Sequence, residues 1–228
     1  MNSDALAALQ TARTAKRPVV FATRLPDGYQ VLLPDATATA ALNAAALRAL
    51  ARDENATTEI NGETWFLHAY SPPVRLVIVG AVHIAQSLVP MSVPLGLDLI
   101  VVDPRRSFAT EDRFPNVTLM DDWPDEAMDK IAPDSRTAVI TLTHDPKLDD
   151  PALDRALRSE AFYIGSLGSR KTHALRLARL AALGHDEVAL ARIKGPVGLD
   201  IGAVSAPEIA LSILAEFVSY RRRIGQTP

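Results

Sequence analysis

The sequence predicts an α/β protein with two domains of different pattern, a small α+β domain over residues 1–71 and a doubly wound domain on a parallel sheet over residues 72–228. Two observations separate them. Ser71-Pro72-Pro73 is rigid and can continue neither a helix nor a strand. Beyond it, short turn-punctuated segments give way to fully apolar runs such as Arg75–Val79 (RLVIV), alternating with helical patterns.

In the first domain, Leu6 and Leu9 at helical spacing predict a helix over 3–15, and Pro18–Phe21 a short strand. Asp27-Gly28 is a hairpin signal before Tyr29–Leu33, and the alanine-rich stretch Ala36–Arg52 predicts a helix. Asn61-Gly62 joins strands at Thr57–Ile60 and Thr64–Tyr70 through a type I′-like turn, which needs two residues tolerant of positive φ.

In the second domain, the RLVIV strand ends in Gly80, an apolar period runs through Ile84, Ala85 and Leu88, and a second strand follows at Leu97–Val102. This is a βαβ unit, with Pro90 expected to kink or shorten its helix. Further strands are predicted at Val117–Met120, Thr137–Leu142 and Phe162–Ile164, and helices at Asp125–Ile131 and Pro151–Arg158. A helix N-capped by Ser169 should turn Ala174, Leu177, Ala178 and Ala181 inward and stop at Gly184. The last helix opens with the capping box Ser205-Ala206-Pro207-Glu208, buries Ile209, Ile213, Leu214 and Phe217, and ends in Arg221–Arg223. The alternation predicts a Rossmann-like sheet.

Composition narrows the chemistry. With 48% hydrophobic and 22% charged residues over 228 positions, the chain can bury a core, and its net charge of −3 argues against a nucleic-acid partner held by bulk charge. The chain has no cysteine, which excludes disulfides, thiolate metal sites and cysteine nucleophiles. No apolar run approaches the ~18 residues of a membrane span and the N-terminus lacks a signal-peptide pattern, so a cytoplasmic protein with no membrane partner is expected.

Five segments hold candidate chemistry. The Gly80-Ala81-Val82-His83-Ile84-Ala85 turn has the place of a dinucleotide fingerprint, but Val82 stands where the second glycine would admit a pyrophosphate, so it is either a binding loop or a structural turn. Asp103, 23 residues after Gly80, is near the offset of a ribose-diol acceptor, and Arg105 and Arg106 could meet a phosphate or form only a solvated loop. Thr143-His144-Asp145 ends the strand expected beside the first across the switch point. There His144 and Asp145 would face His83 as acid, base or metal ligands, or Asp145 would simply cap a turn. Gly165-Ser166-Leu167-Gly168-Ser169-Arg170-Lys171-Thr172 runs from a buried strand into a helix N-terminus and suits an anion, with hydroxyls, charge and helix dipole together. In Gly195–Gly202, Asp200 lies between apolar Leu199 and Ile201, which suggests a carboxylate paired or near a ligand.

Taken in order, GAVHIAQ, VVDPRRSFATEDRFP, LTHDPKLDDPAL, YIGSLGSRKTH and GPVGLDIGAVSAPEIALSILAE strongly resemble the C-terminal domain of the XdhC/CoxI family over about residues 72–220. Members are maturation factors for molybdenum hydroxylases such as xanthine dehydrogenase and carbon monoxide dehydrogenase. The resemblance implies a cofactor chaperone that binds molybdenum cofactor, pyranopterin or dinucleotide, as cargo, and assists its sulfuration or insertion. It also implies a hydroxylase client, a cysteine desulfurase as a further partner and a homo-oligomeric state. Non-catalytic maturation is the expected role, with no resident metal. The alternatives are an NAD(P)-dependent oxidoreductase, disfavoured by Val82, and a ligand-free regulatory protein. Residues 1–71 lack the family's Gly-Ser-x-Pro-Arg segment and glycine-flanked cysteine, so N-terminal functions do not carry over. Without cysteine, any sulfur must be delivered by a partner.

Overall fold

The computed structural model describes residues 3–25 and 27–224. It separates into two compact units, one formed by the chain up to Pro72 together with the end of the last helix from Arg221, the other by Pro73–Tyr220.

In the first unit, α1 (Ser3–Thr14) precedes β1 (Val19–Leu25), β2 (Gln30–Leu33), α2 (Ala40–Arg52), β3 (Ala56–Ile60) and β4 (Glu63–Tyr70). The strands form one antiparallel sheet in the order β2-β1-β4-β3. Alternation along β1 lets both faces be covered, since successive side chains point to opposite sides. Val20 and Ala22 pack with Leu42 and Ala46 of α2, while Val19 and Phe21 pack with Leu9 and Ala12 of α1. Asn61 and Gly62 have φ of 54° and 79°, the left-handed pair that the β3–β4 turn requires. The second helix begins at Ala40 instead of Ala36 because Asp35 draws the Thr37 amide into a local turn and Thr39 caps the Leu42 amide.

The second unit holds a parallel six-stranded sheet. The unit comprises β5 (Arg75–Val79), α3 (His83–Ser92), β6 (Asp98–Val102), β7 (Thr118–Met120), α4 (Pro124–Ile131), β8 (Thr137–Thr141), α5 (Pro146–Leu157), β9 (Tyr163–Ser166), α6 (Arg170–Ala182), α7 (Glu187–Leu190), β10 (Ile193–Lys194) and α8 (Ala206–Ile224) as far as Tyr220. Strand order is β10-β9-β8-β5-β6-β7, so the winding reverses between β5 and β8. Leu76 and Ile78 face α3 and α8 in one core layer, and Val77 and Val79 face α4, α5 and α6 in the other. Strands covered on both faces must be continuously apolar, which is why RLVIV and TAVIT read as they do.

Pro90 sits inside the last turn of α3, which ends at Ser92, and the chain tightens into a 3-10 turn at Val93–Leu95 before Gly96 at φ 65°. Other elements differ from expectation. The fifth helix begins at Pro146, five residues before Pro151, because Asp145 caps it through the Lys147 amide at 3.0 Å and Pro146 fills a first-turn position that needs no donor. Pro151 is accommodated within it. The sheet also has a sixth strand, the two-residue β10, too short for any periodic signal. On α6 the inward positions are Arg176 and Leu180, with His173 and Leu177 half-buried, whereas Ala174, Ala178 and Ala181 are exposed.

Charged side chains also finish the framework. Arg75 donates to the Ile131 carbonyl that ends α4, and Arg192 donates to the carbonyls of Leu157, Ser159 and Ala161. Among the described residues no helix is long and apolar enough to cross a membrane.

At the end of β5, Gly80 has φ 110°, and a Cβ there would stand 2.5 Å from Thr143 Cγ2. Gly80→Ala should lose about 1–3 kcal/mol from backbone strain, with the clash added. Urea denaturation of Gly80→Ala in a Thr143→Ser background should recover the clash component and leave the backbone component, since serine lacks Cγ2.

Candidate functional site

Because the winding reverses between β5 and β8, the loops after these two strands diverge to opposite faces and leave a crevice at the carboxyl edge of the sheet. The loops after β6 and β9 border it. Four of the five segments singled out by sequence arrive there through strand order alone.

At the β5 loop the Gly80 amide bonds the Val102 carbonyl at 2.8 Å, and the Ala81 amide donates to Asp103 Oδ2 at 2.8 Å. Val82 is the N-cap residue of α3 and supplies no side-chain cap; it is half-buried against the core on that face. His83 is exposed at the first position of the helix.

Asp103 is fully buried at the end of β6, and its partners are internal. Arg105 chelates it through Nε to Oδ1 at 2.8 Å and Nη2 to Oδ2 at 2.7 Å, and the Arg105 amide adds a third bond at 3.0 Å. Burial pushes the Asp103 carboxyl up, but the Arg105 and Ala81 donors outweigh it and hold the group below the ordinary carboxylate range. The carboxylate placed by sequence for a ribose diol thus clamps the β5 and β6 loops together. Arg105 in turn is raised chiefly by its bond to Asp103, with a smaller contribution from Asp145 of the β8 loop. Its guanidinium also lies over the Phe108 ring, 4.4 Å from the centroid.

At the β8 loop His144 is exposed with φ 61°, and Asp145 performs the capping role, accepting the Lys147 amide. Thr143 Oγ1 donates to Asp149 Oδ1 at 2.7 Å. Among the described residues no three His, Asp or Glu side chains gather closely enough to share a metal ion, so His83, His144 and Asp145 do not form a ligand set by themselves.

The β9 loop divides into a buried and an exposed half. Gly165 is required by packing, since a Cβ would stand 2.6 Å from Val197 Cγ2. Ser166 is buried, its hydroxyl paired with Thr141 Oγ1 at 2.5 Å. From Gly168, at φ 145°, the loop turns outward. Ser169 caps α6 by accepting the Thr172 amide at 3.1 Å, and Arg170 and Lys171 are exposed with no ion-pair partner among the described residues. An uncompensated cationic helix start of this kind attracts anions.

The Gly195–Gly202 loop is pinned from below by α8. The Gly198 amide donates to Glu216 Oε2 at 3.0 Å, and the Tyr163 hydroxyl donates to the same oxygen at 2.5 Å. Burial, followed by the Glu216 carboxylate, drives the Tyr163 phenol far above its ordinary range. Asp200 corrects the sequence reading: it is exposed, and Leu199 and Ile201 beside it are 42% and 53% exposed, so no burial forces the carboxylate into a pair.

Sequence reasoning missed a buried polar group beneath the β8 and β9 loops. Arg176 of α6 and Asp149 of α5 are each 1% exposed, and Arg176 Nη2 donates to the Leu167 carbonyl at 2.8 Å. Burial pushes the Asp149 carboxyl up and the Arg176 guanidinium down. The only available signal was the break in the apolar spacing of α6, where a charge occupies the inward position.

The fold and this crevice define a Rossmann domain with an anion-suited loop at its carboxyl edge. Residues 76–217 match the XdhC Rossmann domain, and the chain belongs to that family. It is 35% identical over 152 residues to the molybdenum cofactor insertion chaperone PaoD of Escherichia coli, covering 67% of this chain and 42% of that protein. It is 29% identical over 161 residues to a Bacillus subtilis protein named as a probable xanthine dehydrogenase subunit, covering 70% of this chain and 47% of that protein. The chain therefore spans under half the length of these two relatives. A solved structure described as a xanthine dehydrogenase from Bacillus halodurans superposes with a TM-score of 0.74 at 25% identity, covering 97% of this chain and 67% of that one.

The Asp103 clamp gives a pH-dependent expectation. Its folded-state pKa lies below the unfolded value, so its stabilisation is present above the ordinary carboxylate range and is lost as pH falls through the depressed folded-state value. Asp103→Asn should lose about 1.5–3 kcal/mol at neutral pH, the scale of a hydrogen bond to a charged group. In urea denaturation the gap from wild type should close on acidification; a gap constant with pH contradicts the clamp.

Proposed function

We propose that this protein is a maturation factor for a molybdenum hydroxylase and holds the molybdenum cofactor as cargo in the crevice at the carboxyl edge of β5, β6, β8 and β9. The observation that carries the reading is the start of α6. Arg170 and Lys171 are exposed, with no ion-pair partner among the described residues, beside Gly168 and the Ser169 cap, a combination suited to a phosphate or diphosphate group. A pyranopterin carries such a group in either its phosphate or its dinucleotide form. Membership of the XdhC family supports the same reading, as does the name of the E. coli relative, a molybdenum cofactor insertion chaperone.

The crevice would act on the cargo by binding and orientation. Ser169, Arg170 and Lys171 would meet the phosphate end. Gly80, Val82 and His83, with Asp103 and Arg105, His144 and Asp145, and Gly165, Ser166 and Gly168, form the surrounding frame, and Asp200 lies on the loop after β10. A sulfur donor, a cysteine desulfurase, would come from outside, since no cysteine is present to carry persulfide. The client hydroxylase, a homo-oligomeric assembly and a cytoplasmic location complete the proposal.

Two observations weigh against the oxidoreductase reading. Val82 replaces the glycine that a dinucleotide fingerprint carries at this position of the turn, and Asp103 already has Arg105 and Ala81 as partners.

Arg170→Ala should weaken binding of molybdenum cofactor under reducing conditions by about 1–3 kcal/mol, the scale of a charge-assisted contact, measured by equilibrium titration. Affinity equal to wild type would move the cargo away from α6. In parallel, NAD(H) and NADP(H) should bind weakly or not at all.

A further inference from the structure

Arg176 is the largest fully buried side chain among the described residues. Its Nη2 donates to the Leu167 carbonyl, and the same atom lies 3.7 Å from where a Cβ on Gly168 would stand, so the guanidinium underlies the β9 loop. Asp149, equally buried, is turned toward the other loop, with Oδ1 accepting from Thr143 Oγ1 at 2.7 Å and from the Thr143 amide at 3.3 Å. Between the two side chains, Arg176 Nη2 and Asp149 Oδ2 are 3.7 Å apart, beyond hydrogen-bond length. Arg176 Nε and Nη1 and Asp149 Oδ2 have no hydrogen-bond partner among the described residues.

A pair of this kind is a poor device for stability alone, because desolvating two charges is repaid only when their hydrogen bonds are complete. Here each partner commits its hydrogen bonds to a different crevice loop and faces the other through attraction at close range in a region of low dielectric. Moving either loop must move its charge, and the opposite charge responds.

We propose that Asp149 and Arg176 are positioning residues that couple the Thr143–Asp145 loop to the Leu167–Ser169 loop, setting the spacing of the two lips on the β8–β9 side of the crevice. This rests on the proposed function only for its purpose, since the second loop carries the start of α6. The coupling itself needs no ligand.

Amide hydrogen exchange on the full chain, followed residue by residue by NMR with no ligand, tests it. Asp149→Asn keeps a carbonyl oxygen to accept from Thr143 and removes the charge, so any loosening of the far loop is transmitted through Arg176. The Leu167 amide, which donates to the Thr141 carbonyl at 2.9 Å, should then exchange about tenfold faster while the Thr143 amide changes little. Conversely, Arg176→Met should speed exchange of the Asp145 amide, which donates to Thr143 Oγ1 at 3.0 Å, although the hydrogen bond of Arg176 goes to Leu167 on the other loop. Arg176→Lys, which keeps the charge, should restore most of the protection. The proposal is overturned if each variant loosens only the loop it touches, or if exchange rises uniformly through β5 and β8, the mark of a general loss of stability. Failure of pyrophosphate to bind the wild type would remove the anion site and leave the coupling standing.

Discussion

The close approach of β5 and β8 at their carboxyl ends is the constraint on which the rest of this domain depends. Gly80 lies against Thr143 so tightly that a methyl group has no room, and its φ of 110° suits glycine. With the two strands held together there, their following chains leave in opposite directions, α3 toward one core layer and α5 toward the other. The crevice is what remains between them, and the loops after β6 and β9 border it because β6 and β9 are the next neighbours in the sheet.

The helices that follow β5, β8 and β9 are finished differently, which gives the crevice a direction. The start of α3 has no side-chain cap, that of α5 is capped by the Asp145 carboxylate, and that of α6 is capped by the neutral Ser169 hydroxyl with two cations following. A carboxylate at a helix start satisfies the local positive potential and discourages a second anion, whereas a neutral cap beside free cations leaves it available. The asymmetry favours a ligand whose phosphate end lies toward α6. Arg105 does not compete for this role, because its guanidinium is chelated by Asp103.

Sequence revealed the features that local pattern dictates. Continuous apolar runs marked β5, β6 and β8 because both faces of those strands are covered, and Ser169 marked the start of α6 because capping is local chemistry. It was silent where packing decides. The two residues of β10 are a strand only because β9 lies beside them. Asp103 stands at the right offset for a ribose, yet its partners come from Ala81 and Arg105, a relation the spacing alone does not contain. Alanines read as the inner face of α6 lie outside, since the inward positions are taken by Leu180 and by Arg176, a charged residue that hydrophobic periodicity places at the surface. At Asp200 the apolar neighbours suggested burial, yet they are themselves exposed.

Membership of the XdhC family and the exposed cations beside the Ser169 cap lead to one central claim, that the start of α6 receives the phosphate of a bound cofactor. Chemical-shift mapping with pyrophosphate as the probe tests it most directly, because the backbone amides of Gly168, Ser169, Arg170 and Lys171 report contact at the atoms in question. The account predicts saturable shifts concentrated on those four amides, with smaller changes at Leu167. Shifts concentrated instead on Gly80–Ile84, or none at all, would contradict it.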